Sequence, residues 1–535
     1  MPISLQKQFS GATVFAVAVG MNFANPIAGL CLPTGLGAQA TGLSVTEPVL
    51  AETSSEQLVE ELKRFHTHIK SDALSLSLEE AITLGLKRNP ELLQAFNTIQ
   101  QFEWQLIAAQ RRWYPKLQFQ SGTPFIGSSW QTFVSEKYST PAAQLNQPRK
   151  QSLKTRQLVV QPGVFASWNM IDPTRQPNIN AATNSLQQQK YLFDVSARNL
   201  ILRIQEAYHG LQSSQQLIED FQQIYKINKT QLEILESRKS IGMVTVLDVE
   251  QTRSQLFAQL NELVQYTRNY ITQAAILAEA LSLPRDQLAI PSEQAAPQNP
   301  WPLPLQDTVT RAVKQREEIL ANLAAAEAAD WAGVTALRSY LPVFSLLATG
   351  NLNGWKGYQN VPVSADPGNS YSRNRTWSAA VGVGFTWSIF DGGIQAANAQ
   401  AARAQARQQR AQSATTELQV IQQVRSSYGQ MQTARVAVNS SREAYRSAQL
   451  AQEASRARFE VGVGDITSVV QSIQQLSQAA RQQAQAVLSY NNAVSQLYRY
   501  SATWPTETEQ ALEQRIETMR TNPEAGNVTA GGDGQ

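Results

Sequence analysis

Hydrophobic residues alternate with small or polar residues between Trp377 and Ile389. Odd-numbered positions carry tryptophan, alanine, valine, phenylalanine or isoleucine, whereas even-numbered positions carry serine, alanine, glycine or threonine. A period of two predicts a β-strand with one apolar face. The stretch is longer than a soluble strand of about six residues and suits a strand that crosses an outer membrane. After Asp391 the period becomes helical, so the strand is predicted to lead directly into a helix.

This strand-to-helix junction occurs twice in the chain. Trp168 and Asp172 precede Trp387 and Asp391 by 219 residues. Other matching pairs have offsets of 220 to 227 residues: residues 78–92 with 305–319, Gly242 with Gly462, and Pro284 with Pro505. A unit of about 220 residues is therefore predicted to be present twice.

A very long helical segment follows each junction, over residues 174–239 and 394–460. Apolar residues and alanines recur there at steps of three and four, and no proline follows Pro177 in either segment. At about 1.5 Å per residue, each segment predicts a rod about 100 Å long. Each rod ends at a glycine-containing break, over 241–245 and 461–465, after which the helical period resumes. The sequence thus predicts two long helical hairpins.

A helix, a strand, a loop and a second strand are predicted before the first rod. Ser77 and Glu80 have the spacing of a capping box, and this helix is predicted to break near Asn89 and continue to Trp113. The first unit is predicted to have a strand over 116–121, a loop over 122–155 and a returning strand over 156–170, and the second unit a loop over 353–375.

The N-terminal segment has the pattern of a secretory signal peptide. Lys7 is followed by an apolar run, and Ala38-Gln39-Ala40 provides a cleavage site. Polar residues and Pro26 interrupt the run, so a membrane anchor is the less favoured alternative. Cys31, the only cysteine, falls within this segment in a poor context for lipidation.

The predicted organisation has six parts. They are a signal peptide (1–40), an N-terminal lead-in (41–75) with a short helix near 55–70, a first repeat (76–284), a proline-rich linker (285–304), a second repeat (305–505) and a polar, disordered tail (506–535).

Composition and charge narrow the function further. The formal charge of +3 without a basic cluster gives no reason to expect nucleic-acid binding. Gly382 and Gly384 lie within a predicted strand and do not form a phosphate loop. His209 stands alone in a helix without a metal-ligand spacing, so we expect no enzyme, no metal and no cofactor.

The order of these elements resembles the TolC-type outer-membrane efflux protein family over about Leu76 to Pro505. The segments that carry the resemblance are LEEAITLGLKRNPEL (78–92), IGMVTVLDVEQ (241–251) and WSIFDGG (387–393). The resemblance implies an α+β membrane protein: a homotrimer in which each chain gives four strands to one transmembrane β-barrel, continuous with a long periplasmic α-helical coiled-coil barrel. It implies a passive duct of a tripartite efflux pump or a type I secretion system. The implied partners are a periplasmic adaptor (membrane fusion) protein, an inner-membrane transporter and outer-membrane lipid.

Physical reasoning independently requires more than one chain. Four strands are too few to close a barrel with an open lumen, since about eight strands enclose a space filled by side chains. An open sheet edge in lipid would leave backbone groups unpaired at several kcal/mol each. A non-conducting structural coiled-coil protein of the envelope, or a periplasmic enzyme with helical arms, remain the alternatives.

The resemblance also implies that the hairpin tips form the periplasmic aperture and the adaptor contact. Asp248 matches the family's acid in the first unit, but Ser468 stands at the equivalent second position, with Asp465 nearer the turn. The gate is therefore either hydrophobic or formed by Asp248 and Asp465. Alternatively these aspartates only cap helices, a role that suits Asp465 better than Asp248. The candidate tip residues are Gly242, Thr245, Asp248, Gly462, Gly464, Asp465 and Ser468.

Aromatic residues cluster near the predicted helix-to-strand junctions. They are Trp113, Tyr114, Trp168, Tyr340 and Trp387. Tryptophan and tyrosine are enriched where membrane meets water, so we expect a girdle at the periplasmic interface. Alternatively, these rings pack the core of the junction itself.

Overall fold

The computed structural model describes residues 55–121, 125–137, 149–360, 369–505 and 508–521. The expected signal peptide, Cys31, the first part of the lead-in and the last fourteen residues of the tail lie outside these ranges.

Helices make up most of the described chain. The helices are α1 (Ser55–Asp72), α2 (Leu78–Arg88), α3 (Pro90–Gln110), α4 (Arg175–Ser240), α5 (Val246–Leu281), α6 (Leu305–Gln315), α7 (Glu317–Arg338), α8 (Ile394–Glu460), α9 (Ile466–Tyr500) and α10 (Thr508–Thr521). The rods α4 and α8 agree with the predicted segments within one residue at each end, which confirms the two helical hairpins α4–α5 and α8–α9. In the described ranges, no helix is both long and apolar enough to cross a membrane.

Local capping explains where the first helices begin and end. The backbone N–H of Glu80 donates to Ser77 Oγ at 3.2 Å, and the Ser77 N–H donates to the Glu80 carboxylate at 2.8 Å, which confirms the capping box. Asn89 ends α2 and caps α3 by accepting from the N–H of Glu91 at 2.8 Å, with Pro90 at the first helical position. The predicted break at Asn89 is therefore confirmed.

Among the described residues, six strand segments form one antiparallel sheet. They are β2 (Lys116–Phe119), β3 (Ile126–Lys137), β4 (Arg149–Val160), β5 (Gly163–Ile171), β7 (Val343–Asn360) and β8 (Asn369–Thr386). The long strand β7 pairs with β5 and then β4 on one side and with β8 on the other. Because β2 pairs with β5 and β3 pairs with β4, the six segments lie along four strand paths. These paths are β2 followed by β3, β4 followed by β5, β7 alone and β8 alone. Pro162, which has no N–H to donate, lies where β4 gives way to β5.

The two predicted loops are wrong over most of their length. Residues 126–137 and 149–160 pair as β3 and β4 from Ile126 opposite Val160 to Lys137 opposite Arg149. In the second unit, β7 extends to Asn360 and β8 begins at Asn369. Backbone pairing can support these polar strands because the main-chain N–H and C=O groups bond to a neighbouring strand regardless of the side chain. Strand β8 also ends at Thr386, before the predicted Ile389.

The two faces of the sheet differ in polarity, as the alternation predicts. Residues that pair directly point to the same face, so Leu346 with Val383, Ala348 with Val381 and Leu352 with Trp377 share one face. This apolar face is open, with Trp377 76% exposed and Val381 77% exposed. The opposite face carries small or polar residues such as Thr349 paired with Ala380 and Asn351 with Ser378.

Helix α8 is covered on one side only. Every seventh residue from Ala399 to Ser441 is buried, which is the spacing of a coiled-coil seam, and the seam residues are alanine, serine or valine. This seam packs against α7 and α9. Apolar side chains on the other sides, such as Leu418 and Val436, are exposed. The main core lies instead around α4 and α5, with Tyr208 and Tyr270 fully buried.

Two segments outside the rods differ from the prediction. The tail is not disordered over 508–521, because α10 packs against α2 and buries Leu512 and Met519 in the main core. In the linker, β6 (Ala289–Pro291) pairs in parallel with β1 (Leu74–Leu76). Strand β6 has only three residues, too few for a periodic pattern to be recognised. Helix α10 has fourteen residues, and Leu512, Arg515 and Met519 recur on its buried side at helical spacing.

Candidate functional site

The first hairpin tip, residues 241–248, turns through Gly242. This glycine has a φ of +77°, which other residues rarely adopt. The N–H of Gly242 donates to the carbonyl oxygen of Lys239, and the N–H of Met243 donates to that of Arg238, both at 3.0 Å. These bonds close the C-terminus of α4 in a tight turn.

Asp248 is a capping residue in this tip. Its carboxylate accepts hydrogen bonds from the N–H of Thr245 at 2.9 Å and from the Thr245 hydroxyl at 2.7 Å. In return, the N–H of Asp248 donates to the Thr245 hydroxyl at 3.2 Å, which completes a capping box. The carboxylate is thus bonded within its own turn.

The second hairpin tip, residues 461–468, has a different chemistry. Gly462 has a φ of +80°, and a Cβ on Gly464 would lie 2.9 Å from the backbone nitrogen of Phe459. Asp465 occupies the N-cap position of α9 but makes no side-chain cap bond, and Ser468 is exposed. The expectation that capping suits Asp465 better than Asp248 is therefore wrong. A capping box needs the hydroxyl first and the carboxylate three residues later, and the second tip has them in the reverse order.

Arg238, at the end of α4, joins the two hairpins directly beside their tips, a contact that the sequence analysis did not predict. Its guanidinium donates to the carbonyl oxygens of Phe459 at 3.2 Å and Glu460 at 3.1 Å, at the C-terminus of α8. The same group lies 4.5 Å from the centre of the Phe459 ring. A cation is favourable at a helix C-terminus and over an aromatic face. A basic residue in the last turn of α4 predicts hydrogen bonds to the carbonyl oxygens of α4 itself. The sequence pattern therefore does not reveal the contact with α8.

Both tips expose apolar side chains. Ile241, Met243, Val246, Leu247, Val461 and Val463 are between 58% and 75% exposed. Clustered exposed apolar groups commonly mark interaction surfaces.

Polar contacts also link the two hairpins above the tips. Arg481 of α9 donates to both carboxylate oxygens of Glu262 of α5 at 2.6 Å, and the Tyr266 hydroxyl donates to the same carboxylate at 2.9 Å. Tyr445 of α8 donates to Asp220 of α4 at 3.2 Å. These contacts hold the hairpins side by side.

The junction aromatics are partly exposed and partly bonded. The indole N–H of Trp168 donates to the carbonyl oxygen of Trp113 at 2.8 Å, and that of Trp387 donates to Tyr340 at 2.9 Å. The rings of Trp113, Tyr114 and Trp387 are still more than half exposed. The structure therefore places Trp113 with Trp168 and Tyr340 with Trp387 as two equivalent pairs. Tyr114 follows Trp113 in the chain.

Asp391 and Asp172 start the long helices at these junctions. The Asp391 carboxylate accepts from the N–H of Gln395 at 3.0 Å and of Gly393 at 2.9 Å. The hydrogen bond from Gln395 lowers the pKa of Asp391. Asp172 accepts from the N–H and the hydroxyl of Thr174 in the same way.

His209 lies in the protein interior, where neighbouring side chains hold it in place. It is buried, its Nδ1 lies 3.2 Å from the Gln212 side-chain oxygen, and its Nε2 lies 2.9 Å from the Gln298 side chain of the linker. Burial lowers the pKa of His209. Across the described ranges, no group of three or more His, Cys, Asp or Glu residues is placed to hold a metal ion.

Comparison with known proteins gives the family. The family model described as outer membrane efflux protein matches residues 81–282 and 308–503. The chain belongs to the outer membrane efflux protein family. It is an outer-membrane protein with a large periplasmic portion, and its family consists of transport channels rather than enzymes.

A curated relative and two solved structures agree with this membership. The chain is 24% identical over 349 residues to the outer membrane protein TolC of Escherichia coli strain K12, covering 61% of this chain and 70% of TolC. The Campylobacter jejuni outer membrane channel CmeC is 16% identical with a TM-score of 0.64, covering 92% of this chain and 99% of CmeC. The Vibrio cholerae outer membrane protein VceC is 17% identical with a TM-score of 0.60, covering 80% of this chain and 96% of VceC. This efflux protein shares their fold.

Proposed function

We propose that this protein is a passive duct that conducts substrates from an inner-membrane transporter across the periplasm and the outer membrane. Three copies close one barrel from four strand paths each, and the hairpins α4–α5 and α8–α9 continue it as a helical tunnel. The two repeats have the boundaries that the sequence predicts, residues 76–284 and 305–505, and the linker 285–304 joins them. The duct serves a tripartite efflux pump or a type I secretion system.

The unpaired edges of the sheet carry this proposal. Within the described residues, β2 and β3 lie at one edge and β8 at the other, and neither edge has a further partner strand. A sheet with an exposed apolar face and two open edges is unsuited to lipid, because unpaired backbone groups there cost several kcal/mol each. Pairing of β8 with the first strand path of a neighbouring copy removes both edges.

The helical part supports the same assembly. The exposed sides of α8 carry alanines and isolated apolar residues beside a seam that α7 and α9 already fill. Small residues permit close approach of a neighbouring helix. A second copy placed against α8 would extend the helical layer around the axis that the barrel defines.

The tips form the closed end of the duct. Arg238 fastens the first tip to the second, while the exposed apolar residues of both tips provide a surface for a periplasmic adaptor protein. Since Asp248 is used in its capping box, the constriction is formed mainly by apolar side chains, with Asp465 as the acid without a cap bond.

Native mass spectrometry of the detergent-extracted full chain tests the assembly. The proposal predicts a mass of about three chains and insertion of this species into lipid vesicles. A stable monomer that inserts, or a trimer that stays outside the bilayer, would contradict it.

A further inference from the structure

The apolar face of the sheet ends in a cluster of positive charge. Lys356 of β7 lies directly opposite Arg373 of β8, and Arg375 lies two residues further along β8. All three side chains are exposed. Because direct partners and alternate positions share a face, this cluster lies on the same face as Leu352 and Trp377.

This cluster lacks compensating negative charge. Like charges directly opposite each other destabilise a pair of strands. Of the described strand residues of this sheet, only Glu136 carries a carboxyl group, and it lies opposite Lys150 in the β3–β4 pair. No ion pair involves Lys356, Arg373 or Arg375 among the residues that the structure describes. An anionic group bound there would relieve the repulsion.

A depression of about 620 Å³ lies between the cluster and the apolar residues. Gly354 pairs with Arg375 and with Val160 of β4, and its missing side chain leaves the space open. Leu158, Val160, Leu352 and Trp377 line the depression together with the three cations. The site thus offers apolar walls and positive charge side by side.

We infer that this depression binds a phosphorylated lipid, with its phosphate on Lys356, Arg373 and Arg375 and its acyl chains along the apolar face. Arginine forms bidentate hydrogen bonds with phosphate, and a lipid supplies both the anion and the apolar part that the depression requires. The cluster lies at the end of the strands distant from the junctions with α4 and α8, so the lipid belongs to the leaflet distant from the helical part. The inference rests on the proposed function, because it takes the apolar face to be the lipid-facing one.

Lipid affinity of the detergent-solubilised full chain tests this site. The probes are fluorescent diphosphoryl lipid A and the same lipid without its phosphates. Each cation near an anionic headgroup contributes about a factor of five, so the double variant Arg373→Gln, Arg375→Gln should bind the phosphorylated lipid about 30-fold more weakly. Binding of the dephosphorylated lipid should not change. Raising the ionic strength should weaken the binding of the phosphorylated lipid and leave that of the dephosphorylated lipid unchanged.

A matched control carries Arg268→Gln and Arg285→Gln, which are exposed arginines of α5 and of the linker. This variant should bind both lipids as the unmodified protein does. If the double sheet variant does not fold, Lys356→Gln alone should give about a fivefold loss. Equal binding of the two lipids by the unmodified protein, an unchanged affinity in the sheet variants, or displacement of the lipid by an equal concentration of inorganic phosphate would overturn the inference.

Bilayer conductance of the same preparations separates this inference from the proposed function. A protein that conducts but shows no preference for the phosphorylated lipid keeps its proposed function and loses the lipid site. A protein that fails to insert loses both. If the sheet variants conduct as the unmodified protein does and bind the phosphorylated lipid more weakly, both the proposed function and the lipid site are supported.

Discussion

At the residue scale, the two tips make a direct test of capping possible. Thr245 and Asp465 occupy the N-cap positions of α5 and α9, but only Thr245 accepts a hydrogen bond from its helix. Thr245→Ala should destabilise the first turn of α5 by about 1 kcal/mol. Hydrogen exchange of the amides in residues 246–249 should then become roughly fivefold faster.

Asp465→Ala is the matched control for this change. Because the Asp465 side chain makes no cap bond, exchange in residues 466–469 should change little. Similar acceleration at both tips would show that the two caps are equivalent and that the assignment to Thr245 and Asp248 is wrong.

Asp194 predicts a dependence of stability on pH. Burial and the charge of Glu317 raise the pKa of Asp194 to about 6 from an ordinary value of 3.8, although Arg198 acts in the opposite direction. The ionised carboxylate therefore destabilises the folded state, with no penalty below about pH 4 and the full penalty above about pH 6. Asp194→Asn should stabilise the protein by on the order of 2 kcal/mol at pH 7.5 and have no effect near pH 4. Thermal unfolding of the detergent-solubilised chain at both pH values measures this.

Glu318 provides the opposite case to Asp194. Burial raises its pKa, but hydrogen bonds and charges from Arg316 and Arg499 outweigh burial and lower the pKa to about 2. Its stabilising contribution is complete above about pH 4.5 and is lost as the pH falls toward 2. Glu318→Gln should therefore lower the melting temperature at pH 7.5. An unchanged or higher melting temperature for Glu318→Gln at that pH would contradict the account of Glu318, and a lower one for Asp194→Asn would contradict that of Asp194.

At the element scale, two glycines of the second hairpin have opposite roles. A Cβ on Gly464 would lie 2.9 Å from the nitrogen of Phe459 and 3.0 Å from the carbonyl carbon of Arg458, so Gly464→Ala must displace the backbone of the turn. We expect a loss of about 1 to 3 kcal/mol. Gly429 lies inside α8 with nothing within 4 Å of an added Cβ, so Gly429→Ala should stabilise by about 1 kcal/mol. Melting temperatures of the two variants should move in opposite directions; a common direction would refute the role of the turn.

Periodicity predicted the long elements because each repeats its pattern over many residues. The alternation around Val381 placed the second half of β8, from Trp377 to Thr386, and the three- and four-residue steps of α8 placed the rod. By contrast, β3 and β4 are polar and depend on pairing with each other and with β7, which no local pattern shows.

The site was predicted only in part for the same reason. Glycine in the left-handed region identified both tips, since this conformation is a local property of the chain. The link from Arg238 to Phe459 joins residues 221 apart in sequence, so only the folded structure brings them together. Whether Asp248 or Asp465 takes part in a capping box depends on the order of hydroxyl and carboxylate, which the sequence already contains.

At the scale of the whole molecule, the proposed assembly accounts for several features of one chain. Within the described residues, the sheet has two open edges, its apolar face is exposed, and α8 is covered on one side. Closure by three copies accounts for all three features with one symmetry axis, in keeping with the preference of oligomers for closed symmetry. In the proposed duct, the narrow end lies where Arg238 holds the two hairpins together.

Planar-bilayer conductance of the purified oligomer tests this account most directly. The unmodified protein should give a low conductance, and Arg238→Ala should give a larger one because the bonds to the C-terminus of α8 are lost. Arg253→Ala is the matched control, since the ion pairs of Arg253 with Glu236 and Glu250 stay within the α4–α5 hairpin. The account predicts that this control conducts as the unmodified protein does. Absence of conductance in all three proteins, from oligomers shown to be inserted, would contradict the duct and favour a structural protein of the envelope.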